Sequence, residues 1–79
     1  MTHAILYTMD NCPYCERAKR LLEARQIDTT IIDISGDYDE INRLSNRTGM
    51  HTLPQIWVDD VFVGGCDDLI RLDSAGKLR

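Results

Sequence analysis

Two cysteines, Cys12 and Cys15, stand two residues apart at the point where a short apolar run ends and a helix-patterned run begins. That placement constrains the chain more than any other feature. Residues His3 to Thr8 are short and apolar, which suits a buried strand, and Met9-Asp10-Asn11 is a mostly polar break. Beyond Cys12-Pro13-Tyr14-Cys15, residues Cys15, Ala18, Leu21 and Leu22 recur on one helical face, and Glu16, Arg17, Lys19, Arg20 and Glu23 take the other. Pro13 suits the first helical turn, where its missing N–H costs nothing, and Cys12 or Asn11 is then the N-cap. The helix runs to about Gln26.

Thr29-Thr30-Ile31-Ile32-Asp33-Ile34 is β-branched and reads as a second strand. Ser35-Gly36-Asp37 is a turn. Tyr38 to Arg47 reads as a short second helix with Ile41, Leu44 and Tyr38 inward, ended by Thr48-Gly49. Gln55-Ile56-Trp57-Val58 and Val61-Phe62-Val63 are two short strands around an Asp59-Asp60 hairpin turn, with Ile56, Trp57 and Phe62 in the core. Gly64-Gly65 breaks the second of them. Cys66-Asp67-Asp68 opens a last helix reaching about Ala75, with Leu69, Ile70, Leu72 and Leu78 as expected core.

The element order is therefore βαβαββα. The opening βαβ implies parallel strands joined by a right-handed crossover, and the hairpin adds an antiparallel pair. Four strands and three helices pack most economically as a mixed sheet between helix layers, an α/β fold. At 79 residues the expectation is a single domain over 1–79, folding to roughly 4,900 Å² and burying about 60% of its extended surface.

Charge and composition narrow the function classes. Nine basic and thirteen acidic residues leave a net charge of −4, which disfavours a nucleic-acid surface. The apolar runs are too short for a membrane span or a signal-peptide core. Three cysteines are an odd count, unlike the even sets of stapled secreted mini-proteins. The chain reads as cytoplasmic or from another reducing compartment, with a use for Cys12 and Cys15 other than stapling.

Three stretches carry candidate chemistry. In the first, Cys12 heads a helix, where unpaired N–H groups and the helix dipole favour thiolate, the nucleophilic form. Cys12 is then the attacking sulfur and Cys15, one turn deeper, the resolving one. The competing reading is a buried structural pair or half of a zinc site. In the second, Thr52-Leu53-Pro54, a proline opens an apolar strand. A cis Leu53–Pro54 peptide would free the Leu53 backbone to pair with an extended thiol peptide beside Cys12; a trans proline would only end a loop. In the third, Gly64-Gly65-Cys66-Asp67-Asp68, glycines permit close backbone approach and the helix start offers N–H donors to a carboxylate, with an aspartate for an ammonium group. The plain reading of that stretch is a strand exit and an N-cap.

Together, in order and spacing, these pieces resemble a glutaredoxin. The resemblance spans essentially the whole chain, through Tyr7-Thr8, Cys12-Pro13-Tyr14-Cys15, Thr52-Leu53-Pro54-Gln55-Ile56 and Gly64-Gly65-Cys66-Asp67-Asp68-Leu69. It implies a thioredoxin-like fold and reduction of protein disulfides and glutathione mixed disulfides with glutathione as co-substrate. No bound cofactor or metal is implied. By similarity, Cys12 takes up the glutathionyl group and Cys15 resolves it. Tyr14 flanks the bound peptide, and Thr52, Leu53 and a cis Pro54 form its backbone edge. Gly65, Cys66, Asp67 and Asp68 hold the γ-glutamyl end. Implied partners are glutathione and disulfide-bearing proteins, ribonucleotide reductase among them, acting on a monomer.

The sequence departs from the family pattern at the other end of that site. Met9 stands where many glutaredoxins carry a lysine, and Ile41 lies near the height of a family Gln or Arg that faces the glycine carboxylate. Arg43, Arg47 and His51 are the replacements at hand. Losing one such charged contact weakens binding by roughly 1–2 kcal/mol. The departures keep open a glutaredoxin-like carrier fed by thioredoxin reductase. An iron–sulfur or zinc module is the other class. Pro13 disfavours the cluster-binding subgroup, and a zinc site built from Cys12, Cys15, Cys66 and His51 lacks a second Cys-x-x-Cys or His pair. Cys66 itself reads as a small, partly buried side chain near the ligand, His51 as solvated, and the Arg17, Lys19, Arg20, Arg25 group as a solvated helix face.

Overall fold

The computed structural model describes residues 2–78. Seven elements follow in the expected order: β1 (His3–Thr8), α1 (Pro13–Ala24), β2 (Asp28–Asp33), α2 (Tyr38–Thr48), β3 (Gln55–Val58), β4 (Val61–Gly64) and α3 (Cys66–Ser74). The sheet order is β2-β1-β3-β4. Strand β1 pairs in parallel with β2 and antiparallel with β3, and β3 pairs antiparallel with β4. This is the mixed four-stranded sheet that the resemblance implies. The accessible surface is 5160 Å², close to the roughly 4,900 Å² that mass scaling gives.

Local chemistry accounts for the element ends. Cys12 is the N-cap of α1, extended at φ −117°, and its sulfur accepts from the Cys15 amide. The helix stops at Ala24, two residues short of expectation, because Gln26 enters the left-handed region at φ 56°. Asp37 caps α2 by accepting from the Glu40 amide, and Gly49 closes it in the left-handed region. Asp59 and Asp60 both take positive φ, 48° and 67°, as a tight hairpin between twisted strands requires.

The sheet is covered on both faces. Ala4, Leu6, Ile56 and Val58 pack with Ala18 and Leu22 of α1 and with Cys66 and Leu69 of α3. On the other face, Trp57, Ile34 and Leu44 form a smaller cluster joined by Ile5, Tyr7, Ile41, Leu53 and Phe62. Coverage of both faces explains why β1 is apolar from Ala4 to Tyr7 although its burial alternates strictly. Strand β2 lies at the sheet edge and begins at Asp28, one residue before the expected start; Ile34 falls just beyond its end, buried under α2.

Two core expectations are corrected. Tyr38 is 75% exposed and Ile70 is 42% exposed. Tyr38 is the first residue of α2, before the helix has turned its apolar side to the sheet. Ile70 follows Leu69, which takes the single inward position at that turn and is fully buried. Arg25 is exposed as expected, and from there it forks onto Asp73 with Nε–Oδ1 2.6 Å and Nη2–Oδ2 2.9 Å. That ion pair ties the trailing end of α1 to the trailing end of α3, and it holds the Asp73 carboxyl below the ordinary carboxylate range.

Candidate active site

The two motif cysteines are held very differently. Cys12 is half-buried at the helix tip, and its Sγ receives the Cys15 amide at 3.2 Å. The same sulfur lies 3.8 Å from the Leu53 carbonyl oxygen across the loop. Cys15, one turn into α1, is 0% exposed. Burial pushes the Cys15 thiol up, and its hydrogen-bonded neighbour Cys12 pushes it further. Thr8 and the Met9 backbone pull in the opposite direction. All three cysteines are free thiols.

The Leu53–Pro54 peptide is cis. Its loop is held from below by Gln55, whose side chain is 1% exposed. The Gln55 amide nitrogen donates to the Met50 and Thr52 carbonyls at 3.0 and 3.3 Å, and its oxygen accepts from the Thr48 hydroxyl at 3.0 Å. A buried amide is tolerated only when so satisfied. The result is a loop whose outer edge is fixed by the first residue of β3.

Between this loop and the head of α3 lies a cleft of about 340 Å³, within the range of small-molecule sites. Tyr14, Thr52, Leu53, Pro54, Gly65, Cys66, Asp67 and Asp68 line it, together with Met50. The structure thus brings Tyr14, Thr52 to Pro54 and Gly65 to Asp68 around one cleft, while Gly64 of the third stretch is not part of its lining. Cys12 adjoins the cleft through its contact with Leu53 rather than lining it. Met50 was missed. Its one signal was a large apolar residue, alone, two positions before Thr52.

The roles within the third stretch divide more finely than expected. Asp68 spends its carboxylate on the structure: Oδ2 accepts from the Gly65 amide at 2.9 Å and Oδ1 from Arg71. Those two donors, the Gly65 amide first, hold its carboxyl below the ordinary range. Asp67 is exposed and free of such bonds among the described residues. Cys66 is buried against the core, and burial, with Asp67 adding to it, pushes its thiol up. The first amides of α3 have no partner within the helix, and Gly65 to Asp68 at that end of the helix line the cleft. The two glycines also differ. Gly64 sits at φ 122°, and a Cβ there would fall 2.3 Å from Asp68 Oδ2. Gly65 has ordinary φ, −97°, and caps α3 against Met50 and the Pro54 carbonyl. Gly64→Ala should therefore dislodge the Asp68 cap and cost about 2–4 kcal/mol; a fall in the urea midpoint at unchanged m-value measures it.

Of the replacements considered for the family's basic contacts, Arg43 pairs with Glu40. Arg47 stacks 5.3 Å over the Trp57 ring and lines a separate hollow with Ile5, Tyr7 and Asp60. Neither lines the cleft. His51 is exposed on the segment between Met50 and Thr52, which do. Met9 is 41% exposed, and Ile41 packs into the second core cluster. No group of three or more His, Cys, Asp or Glu suited to a metal occurs among the described residues.

Residues 4–63 match the glutaredoxin family. The chain belongs to that family. A glutaredoxin of Pseudomonas aeruginosa is 44% identical over 78 residues, covering 99% of this chain and 93% of its own. The solution structure of a Brucella melitensis glutaredoxin is 44% identical with a TM-score of 0.86, covering 99% of this chain and 85% of that one. A crystal structure of a buckwheat glutaredoxin–glutathione complex superposes with a TM-score of 0.87 at 27% identity, over 95% of this chain and 71% of that one. As a glutaredoxin the chain is a thiol–disulfide oxidoreductase. Cys12 and Cys15 stand at the head of α1 as a half-buried and a buried thiol, and no helix among the described residues is long and apolar enough to cross a membrane.

Proposed function

We propose that this glutaredoxin draws its electrons from glutathione and passes them to glutathione mixed disulfides and protein disulfides. The observation that carries the reading is the cleft itself. It runs from the Leu53 carbonyl, 3.8 Å from Cys12 Sγ, to the head of α3. In this reading the cysteinyl part of glutathione pairs with the Leu53 backbone. The γ-glutamyl carboxylate meets the first amides of α3, and its ammonium group meets Asp67. Asp68 acts by holding that helix head in shape. Tyr14 flanks the tripeptide, while Thr52, Pro54, Gly65 and Cys66 form the walls. A buckwheat relative bound to glutathione supports the choice of ligand.

The chemistry follows from the sulfur positions. Cys12, as thiolate, attacks the glutathionyl sulfur of a mixed disulfide, and the other thiol leaves with the electron pair and takes up a proton. A second glutathione then attacks the Cys12-bound sulfur, releasing glutathione disulfide and restoring Cys12. With a protein disulfide, Cys12 forms the mixed disulfide and Cys15 closes on Cys12, expelling the reduced protein.

A carrier fed by thioredoxin reductase is the second reading. One observation favours it: among the described residues no lysine, arginine or histidine lines the cleft, so none of them offers a cation there to the glycine carboxylate of glutathione. Parallel turnover assays separate the two. Glutathione with glutathione reductase is expected to support reduction of a glutathionylated small thiol. Turnover with thioredoxin reductase alone would overturn the proposal.

A further inference from the structure

We infer that Thr8 is the positioning residue for the resolving sulfur: its buried hydroxyl is held in reserve beneath Cys15 and donates a hydrogen bond to that sulfur as it becomes a thiolate. Thr8 ends β1 on the same face as Ala4 and Leu6, the face that packs under α1. Cys15 looks down from α1 on the side it shares with Ala18 and Leu22. Thr8 is 2% exposed. Its Oγ1 is the one buried side-chain oxygen or nitrogen that lacks a hydrogen-bond partner among the described residues. Such an orphan is costly and asks for a reason. Cys15, on the α1 face that covers this side of β1, supplies one, and the Thr8 side chain favours the anion of that thiol. A protonated Cys15 leaves the hydroxyl without an aligned acceptor; a thiolate would be a strong one.

The step served is resolution. The Cys15 sulfur attacks Cys12 Sγ in a Cys12–S–S–R mixed disulfide. The Cys12–Cys15 bond forms, the Cys12–S–R bond breaks, and R–S⁻ leaves with the electron pair and takes up the proton that Cys15 gave up. Burial opposes the ionisation this requires. Among the described residues Cys12 is the one titratable group acting on Cys15, and once bound in a mixed disulfide it carries no charge. The Met9 backbone and Thr8 are then the groups left to favour the anion.

The inference rests on the cysteine roles proposed above, so its test avoids glutathione. An aromatic disulfide such as Ellman's reagent releases one aryl thiolate when Cys12 attacks and a second when Cys15 resolves. In a shared Cys66→Ser background, Thr8→Val should slow the second release about tenfold, the worth of one charge-assisted hydrogen bond. It should also move the pH midpoint of that phase upward and leave the first release unchanged. Thr8→Ser should restore both. A second phase unaffected by Thr8→Val would overturn the inference, as would equal slowing of both phases or failure of serine to rescue. If valine prevents folding, Thr8→Ala enters the same comparison. Absent glutathione turnover with an intact valine effect would sink the electron-donor reading and leave this one standing.

Discussion

Cys12→Ser is expected to reduce thiol–disulfide exchange to background, a loss of at least about a thousandfold. The reason is access as much as chemistry. Cys15 and Cys66 are both buried, with thiols pushed up by that burial, so neither can stand in. Serine keeps the N-cap, since its hydroxyl oxygen can accept from the Cys15 amide as the sulfur does. Stability should therefore change little while turnover vanishes. Measuring both separates loss of the nucleophile from loss of the fold. Retained activity above a few per cent would mean that another thiol attacks first.

Cys15→Ser should split the two activities. Reduction of a glutathionylated small thiol is expected to stay within about threefold of the parent protein, because that route uses one sulfur and a second glutathione. Reduction of a protein disulfide by the dithiol route should fall about a hundredfold or more, because nothing closes on Cys12. The buried position supports the split: at 0% exposure Cys15 cannot meet an incoming substrate, yet its amide lies 3.2 Å from the Cys12 sulfur. The opposite pattern in the two mutants would reverse the roles.

Much of this arrangement was legible before the structure because it is local. The Cys12 cap, the Pro13 helix start, the Asp59-Asp60 turn and the Gly49 stop each depend on a few adjacent residues. Periodicity also placed Ala18, Leu22, Leu44 and Leu69 inward, where they are. It failed for Tyr38 and Ile70, at a helix's first turn and beside an already inward residue, where an apolar side chain has no sheet to meet. Three other features depend on pieces distant in sequence. Met50 lines the cleft only because Gly65 arrives beside it. Gln55 is buried only because two loop carbonyls turn toward it. The Thr8 hydroxyl has meaning only once α1 lies over β1. Gly64, open to reading as room for a ligand or as a strand exit, ends β4 at a positive φ where the Asp68 carboxylate leaves no space for a Cβ.

The Gln55 arrangement has a practical corollary for anyone transplanting this groove into another scaffold. The segment from Met50 to Pro54 does not carry its own shape. Its curvature is borrowed from a glutamine that belongs to the neighbouring strand and answers to two carbonyls and one hydroxyl at once. A graft that copies the visible edge and leaves that amide behind would inherit the residues without their arrangement. The smallest portable unit runs from Thr48 through Gln55.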